Sequence, residues 1–223
     1  MLALLASLRS IWGSTESHPT FSASLRPCVL ALILLSTVVS HAAVASKAPV
    51  SEKRRVSIET ALGVIEVELD AKAAPQTVTN FLRYVQAGLY NDGEFHRTVT
   101  SANQPTNAVK IQVIQASGNP TKTNEFFPPI QIERTRDTGL KHRDGTISMA
   151  RDGPDSAQDH FFICIGDLPD LDFGGKRNPD GQGFAAFGKV LKGMDVVRKL
   201  HGAPAEGQSL KPSVRIQRAL RSN

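Results

Sequence analysis

The sequence predicts a mainly β fold, a closed antiparallel barrel with helices capping its ends. Three observations lead to this prediction. Short apolar stretches of strand length recur between loops rich in Gly, Pro and Asn, and only two segments show the apolar spacing of a helix. Strands and helices do not alternate regularly, as they would in a parallel βαβ sheet. The 223 residues include only two cysteines, which excludes a disulfide scaffold and any zinc site built from cysteines.

The first 45 residues have the pattern of a leader. Residues 28–39 form an uncharged apolar run, which is shorter than the roughly 20 residues that a membrane-spanning helix needs. Ala43 and Ala45 follow with the small-residue spacing that signal peptidase accepts. We predict a signal peptide over residues 1–45, export to a bacterial periplasm, and no stable membrane insertion after cleavage. A membrane anchor formed by an uncleaved leader is the alternative.

A polar lead-in over residues 46–54 precedes a single predicted domain over residues 55–223. Ile65, Val67 and Leu69 alternate with glutamates, which is the pattern of a strand with one buried face. Similar short patterns mark the other strands. The expected strands cover residues 55–60, 64–70, 94–99, 111–116, 146–150, 161–165, 185–190 and 213–217.

Two helices are expected between these strands. Pro75 opens the first helix at a position where its missing N–H costs nothing. Apolar residues then recur at i, i+3, i+4 and i+7 from Val78 onward, and Gly88 ends the helix. The second helix, around residues 194–200, carries three aliphatic side chains on one side.

Composition and motifs exclude several classes of function. The net charge is +5, but the basic clusters at residues 53–55 and 211–221 are not interleaved with aromatic residues, so we expect no nucleic-acid partner. The four histidines after the leader have neither H-x-x-x-H spacing nor a cysteine partner, so we expect no metal site. Ser148 and Ser156 lack the context of a nucleophile elbow. The sequence therefore offers no nucleophile, metal or acid–base pair, and we expect no cofactor.

One reaction needs none of these groups. Rotation about an X-Pro amide breaks no bond, and its barrier of about 20 kcal/mol comes from amide resonance. A catalyst needs an apolar slot for the pyrrolidine ring and a hydrogen-bond donor that favours the twisted amide. Arg97 is the candidate donor, because a fixed guanidinium beside the prolyl nitrogen can supply that hydrogen bond. The alternative is that Arg97 is an ordinary surface charge at the end of a strand.

Five segments of the chain occur in the order found in cyclophilins. They are Phe95-His96-Arg97, Val113-Ile114-Gln115, residues 145–151, Phe161-Phe162-Ile163 and residues 187–190. Over about residues 56–217, the chain therefore resembles this family of peptidyl-prolyl cis–trans isomerases. The resemblance implies a closed eight-stranded antiparallel barrel capped by two α-helices. The leader and the loop at residues 171–183 make the chain similar to the exported bacterial branch.

The resemblance also implies the residues of the active site. Arg97 and Gln115 would be catalytic, the first as the guanidinium and the second as a polar group near the substrate carbonyl. The substrate-binding residues would be Val113, Phe162 and Leu171 in the proline slot, Ala150 and Arg151 through their backbone, Phe184 as a wall, and Gln112 and His160. The last two depart from the family, which usually has a large aromatic residue and a Gln there, and we expect both changes to slow the reaction.

The leading hypothesis is an exported peptidyl-prolyl cis–trans isomerase that assists the folding of other exported proteins. Its expected partners are unfolded or extended polypeptides that contain proline, and a monomer is expected. The alternative is a catalytically weak cyclophilin-like module or chaperone that binds proline-containing segments without useful turnover.

Overall fold

The computed structural model describes residues 53–222, so the predicted leader and most of the lead-in lie outside the described residues. Nine strands, three α-helices and two short 3₁₀ helices form within this range. The strands are β1 (Lys53–Thr60), β2 (Gly63–Asp70), β3 (Glu94–Val99), β4 (Val113–Ser117), β5 (Thr146–Met149), β6 (Phe161–Cys164), β7 (Ala185–Lys192), β8 (Ala205–Glu206) and β9 (Ser209–Ser222). The helices are α1 (Pro75–Gln86), α2 (Thr135–Thr138) and α3 (Met194–His201).

Eight of these strands form a closed antiparallel barrel, as predicted. Their order is β1-β2-β7-β5-β6-β4-β3-β9, and pairing between β1 and β9 closes the sheet. Among the described strands, the short β8 pairs with β9 as one arm of a hairpin. Closure removes the long open edges at which other chains could pair.

The alternation of side chains along each strand divides the apolar residues between two faces of the barrel wall. Ile114 of β4 and Ile163 of β6 belong to the main core. Val113 and Phe162, their neighbours in the chain, belong to a second apolar cluster, which we call the outer-face cluster. Its buried members are Val99, Ile111, Val113, Phe162, Cys164, Leu168 and Leu171. The barrel wall therefore carries apolar surface on both sides where β4 and β6 pair.

Both predicted helices are present and bury the faces expected from their spacing. Helix α1 packs against β2, β7 and β9, and it buries Val78, Phe81 and Val85. Helix α3 packs against β2, β3 and β4 through its aliphatic side. Within residues 53–222, none of the helices combines the length and the hydrophobicity that a membrane crossing requires.

Helix α1 begins without a side-chain cap of its own. Its first residue is Pro75, and the preceding Ala74 cannot accept a hydrogen bond through its side chain. The Glu133 carboxylate instead accepts hydrogen bonds from the backbone N–H groups of Gln76 (3.0 Å) and Thr77 (2.7 Å). A residue distant in the chain therefore satisfies two of the free donors at this helix end.

The main differences from the predicted elements lie late in the chain. The short strand expected at residues 213–217 is part of the 14-residue strand β9. Most of its side chains are exposed, so its sequence lacks the apolar alternation that identifies a strand. The backbone of β9 nevertheless pairs with β1 on one side and with β3 on the other. The two-residue β8 and the four-residue α2 were not predicted, because neither is long enough to produce a periodic pattern.

Candidate active site

A cavity of about 440 Å³ opens on the barrel wall and is lined by residues of β3, β4 and β6 and of the loops beside them. Nine of the ten predicted site residues line it. They are Arg97, Val113, Gln115, Ala150, Arg151, His160, Phe162, Leu171 and Phe184. The lining residues that were not predicted are Ile111, Asp152, Ser156, Gln158, Asp159, Arg177 and Asn178. The fold thus brings together most of the predicted residues, although they are widely separated in the chain.

One part of the cavity wall is apolar. Val113, Phe162 and Leu171 are buried members of the outer-face cluster, and Ile111 joins them. The Phe184 ring meets the Phe162 ring edge-on, with 5.4 Å between the ring centroids. Such a slot excludes water and strengthens the polar interactions at its rim. Its chemistry suits a pyrrolidine ring.

Gln112 is the one predicted site residue that does not line the cavity. Ile111 and Val113 line the cavity and Gln112 does not. Side chains alternate along an extended chain, so positions 111, 113 and 115 share one side and position 112 faces away from it. The Gln112 carbonyl accepts a hydrogen bond from the Ile165 N–H (2.9 Å). An aliphatic side chain therefore occupies the place where a polar amide was expected.

A local irregularity in β3 aims Arg97. The register of β3 shifts between Phe95 and Arg97 against both β4 and β9, which is the mark of a β-bulge. The bulge sets Arg97 opposite Gln115, and its Nη1 donates to Gln115 Oε1 (2.8 Å). On the other side, Nε and Nη2 donate to Gln208 Oε1 at 2.9 and 2.6 Å. Burial lowers the pKa of Arg97, but a guanidinium remains charged in proteins.

Gln208 is a site residue that the sequence did not indicate. It lies in the turn between β8 and β9, and its Nε2 donates to the Asn103 carbonyl (3.1 Å). Its oxygen thus points at Arg97 while its nitrogen is fastened to a second loop. Arg97 and Gln208 are 111 positions apart, so no local motif connects them.

His160 extends the hydrogen-bonded chain that begins at Arg97. Since Gln115 uses its oxygen to accept from Arg97, its Nε2 faces His160 Nδ1 at 3.3 Å. An unprotonated Nδ1 accepts this bond, which places the ring proton on Nε2, 3.7 Å from the Asp159 carboxylate. The His96 ring lies edge-on to His160, with 5.2 Å between centroids. His160 therefore lies at the cavity rim and contributes to the orientation of Gln115.

The backbone after β5 forms another part of the rim. The Ala150 N–H donates to the His160 carbonyl (2.9 Å). The Arg151 guanidinium donates to the Asp180 carboxylate (2.8 Å) and to the Gly183 carbonyl (2.7 Å). These bonds fix residues 150–151 beside Phe184, where an extended peptide could lie along them.

A buried polar network lies behind the apolar slot. His142 Nδ1 is 2.8 Å from Asp172 Oδ1, and its Nε2 is 2.9 Å from Ser148 Oγ. Burial by itself raises the pKa of Asp172, but hydrogen bonds from His142 outweigh it, and the net pKa is lowered. The arrangement has the order of a catalytic triad, yet Ser148 is fully buried and does not line the cavity. The His142 ring stacks on Phe162 at 6.0 Å, so the network supports the slot.

An anchored guanidinium beside an apolar slot, on a closed antiparallel barrel, is the arrangement expected of an enzyme that twists a prolyl amide without covalent chemistry. The family model for cyclophilin type peptidyl-prolyl cis-trans isomerase/CLD matches residues 55–220. The chain belongs to this family and is a peptidyl-prolyl cis–trans isomerase.

Related proteins agree with this assignment. Peptidyl-prolyl cis-trans isomerase A of Dickeya dadantii is 35% identical over 176 residues, which cover 78% of this chain and 85% of the relative. Peptidyl-prolyl cis-trans isomerase B of Escherichia coli is 35% identical over 155 residues, which cover 69% and 87% of the two chains. A crystal structure of a cyclophilin type isomerase from Cryptosporidium parvum has a TM-score of 0.59 at 23% identity and covers 77% of this chain and 98% of its own. The last similarity shows the fold.

Proposed function

We propose that this protein is an exported enzyme that accelerates X-Pro isomerisation in other exported polypeptides and so assists their folding. The observation that carries the proposal is the Arg97 guanidinium, which Gln115 and Gln208 hold beside the slot of Phe162 and Leu171. A mobile surface arginine would not be anchored by three hydrogen bonds in a half-buried site.

The slot and the rim hold the substrate in this proposal. The proline ring enters between Val113, Phe162 and Leu171, where it loses contact with water. The residue before the proline lies along the backbone of Ala150 and Arg151. The substrate is therefore held on both sides of the amide bond that rotates.

Arg97 promotes the rotation by binding the twisted amide more tightly than the planar one. In a planar amide the nitrogen lone pair is delocalised into the carbonyl, and rotation localises it on nitrogen. A localised lone pair is a better acceptor, so a hydrogen bond from Arg97 strengthens as the barrier is approached. Gln115 orients the guanidinium and lies where it can contact the substrate carbonyl.

Isomerisation of a short X-Pro peptide tests the activity directly. We expect the purified full chain to raise the cis–trans exchange rate of the peptide, measured by exchange NMR without a coupled protease. The peptide with Pro replaced by Ala serves as the binding control. Binding of the X-Pro peptide without acceleration would instead support the alternative, a cyclophilin-like binding module.

Export is tested separately from activity. Ala43 and Ala45 predict a mature N-terminus near Ser46. Expression in a bacterial host followed by N-terminal sequencing of the periplasmic fraction is expected to find it. Recovery of the uncut chain from the membrane fraction would support the anchored alternative.

A further inference from the structure

Arg177 is the third arginine of the cavity lining, beside Arg97 and Arg151, and neither the sequence motifs nor the mechanism above uses it. It lies in the loop between Leu171 and β7 and lines the cavity together with Arg97. Its Nη1 donates to Gln104 Oε1 (2.8 Å) and to the Val109 carbonyl (2.7 Å). Both acceptors belong to the long loop that joins β3 to β4.

Gln104 makes this anchor rigid. Its side chain is 1% exposed, and its Nε2 donates to the carbonyls of Thr100 and Ile111, both at 2.7 Å. Its Oε1 accepts from the Ile111 N–H at 3.3 Å as well as from Arg177. All the hydrogen-bonding positions of this buried amide are therefore used. Arg177 is therefore held by hydrogen bonds to a fixed part of the loop between β3 and β4.

The charge of Arg177 is not neutralised by the described part of the chain. Within residues 53–222, its hydrogen-bond acceptors are a side-chain amide and a backbone carbonyl, and no carboxylate lies within ion-pair distance. The carboxylate of Asp170 accepts from the Lys176 N–H instead. Nε and Nη2 of Arg177 have no acceptor among the described residues, which leaves three N–H groups for a ligand.

The other charged groups of the cavity lining form no ion pair with Arg177 among the described residues. Arg151 is paired with Asp180. Asp152 and Asp159 also line the cavity, and the Asp159 carboxylate accepts from the Gly118 N–H (2.9 Å) and lies 3.7 Å from His160 Nε2. Arg177 is fastened beside Ile111, at the opposite end of the outward-facing row that runs from Ile111 to Gln115. Among the described residues, Arg177 therefore keeps an unpaired positive charge in the cavity lining.

We propose that Arg177 forms a subsite for a carboxylate side chain, so that the enzyme prefers X-Pro segments in which Asp or Glu follows the proline. This inference rests on the proposed function, in which the residue before the proline lies at Ala150 and Arg151. A substrate peptide that passes Ala150 and Arg151 and places its proline against Val113 continues toward Ile111 and Arg177. A planar guanidinium can bind a carboxylate through two parallel hydrogen bonds, which neutral or basic side chains cannot form.

The test compares peptides that differ only beside the proline. Exchange NMR gives kcat/KM for Ala-Pro-Glu, Ala-Pro-Gln and Ala-Pro-Lys sequences and for a peptide with Glu before the proline. We expect Pro-Glu to exceed Pro-Gln by about threefold to tenfold, with Pro-Lys lowest, as for a charge-assisted hydrogen bond in a half-exposed site. The ratio of kcat/KM for Pro-Glu to that for Pro-Gln is expected to decrease at about 0.5 M salt, since screening weakens exposed ion pairs.

Variants of Arg177 then test whether this residue causes the preference for Glu after the proline. In Arg177→Gln the Glu-to-Gln ratio is expected to fall to about one, and Arg177→Lys is expected to retain part of it. Arg221→Gln removes the same charge from the exposed end of β9 and is expected to keep the full ratio. If Arg177→Gln disturbs the loops and slows the reaction of all peptides, this variant alone does not decide. In that case the Glu-to-Gln ratio of the unmodified protein, the salt dependence of this ratio and the ratio in Arg177→Lys still test the carboxylate subsite.

The outcomes separate this inference from the proposed function. Acceleration of all four peptides at equal rates would refute the carboxylate subsite and leave the isomerase proposal intact. A preference for Glu before the proline would refute the placement of Arg177 beyond the slot. Failure to accelerate any of the peptides would refute the proposed function itself.

Discussion

Arg97 has five N–H donors, and the site uses three of them for its own fixation. Gln208 accepts from Nε and Nη2, and Gln115 accepts from Nη1. One N–H on each terminal nitrogen is left for a substrate. The partners are neutral amides and not carboxylates, so they orient the guanidinium without a negative charge that would offset its own. A lysine could not be fixed in this way, because its ammonium is a point charge on a flexible stem.

Arg97→Ala is expected to lower kcat/KM by about 10²–10³, which corresponds to about 2.7–4 kcal/mol of lost electrostatic stabilisation. Arg97→Lys is expected to recover only part of the activity. Exchange NMR on an X-Pro peptide measures the loss, and circular dichroism checks that the barrel is intact. Unchanged kcat/KM in a folded Arg97→Ala protein would contradict the mechanism.

Gln208 is expected to act as a positioning residue. Gln208→Ala removes two of the three anchors of Arg97, and we expect kcat to fall by about tenfold while KM changes little. Gln208→Glu restores an acceptor and is expected to recover part of kcat. Gln217→Ala, at an exposed position of the adjoining strand β9, is the control. An equal loss in both alanine variants would indicate a purely structural role.

At the scale of single elements, the bulge in β3 and the first turn of α1 depend on different parts of the chain. The bulge turns Arg97 toward Gln115 and needs only the two neighbouring strands. Helix α1 needs Glu133, which follows the isolated bridge between Ile130 and Ala157. The first turn of the helix is therefore stabilised by a loop that lies far from it in the chain.

Glu133→Ala is expected to lower the free energy of unfolding by about 0.5–2 kcal/mol, the cost of losing a helix cap together with a negative charge at a helix N-terminus. Urea denaturation followed by circular dichroism measures the change. Glu125→Ala removes an exposed glutamate from a nearby 3₁₀ turn and serves as the control. Equal stability of the two variants would show that the Glu133 contacts contribute nothing.

The strands of the barrel could be predicted where one face is buried and the other is polar. β2 shows this pattern clearly, because Ile65, Val67 and Leu69 are buried and their neighbours are not. β9 does not show it, because only a few of its side chains are buried and its length comes from backbone pairing. Polar sequence alone cannot distinguish such a strand from a loop.

The same reasoning explains which site residues could be predicted. Arg97 and Phe162 lie in short strand motifs, so their neighbours in the chain identify them. Gln208, Gln104 and Arg177 act through hydrogen bonds between distant loops, and their local sequences contain no signal. The place of Gln112 outside the cavity lining depends on the direction of the side chains in the extended segment before β4, which a match of motifs does not give.

At the scale of the whole molecule, the free energy of unfolding is expected to fall in two stages as the pH decreases. Burial lowers the pKa of folded His96, whereas an unfolded His titrates near pH 6.5, so the unfolded state binds protons first and stability declines below about 6.5. Burial raises the pKa of Asp70 and Asp172, but hydrogen bonds from Lys53 and His142 give net lowered values. Their contribution is complete above about pH 3.9 and is lost below it.

Urea denaturation between about pH 7 and pH 3 measures both stages. His96→Gln is expected to remove the first decline and leave the second, because glutamine does not titrate. His201→Gln replaces a second half-buried histidine, whose Nε2 lies 2.9 Å from the Val99 carbonyl, and is the control that is expected to keep both declines. A parent protein equally stable at about pH 7 and pH 5 would contradict the assignment to His96.

The division of apolar residues between the two faces of the wall affects how the protein can diverge. The main core and the outer-face cluster share no residues, although Ile114 and Val113 are neighbours in the chain. Substitutions that are not in contact tend to act independently on stability. A change in the slot or in the loop of Arg177 can therefore alter which polypeptides are served while the interior of the barrel stays the same. Selection for new polypeptide substrates and selection for a stable barrel therefore act on different side chains.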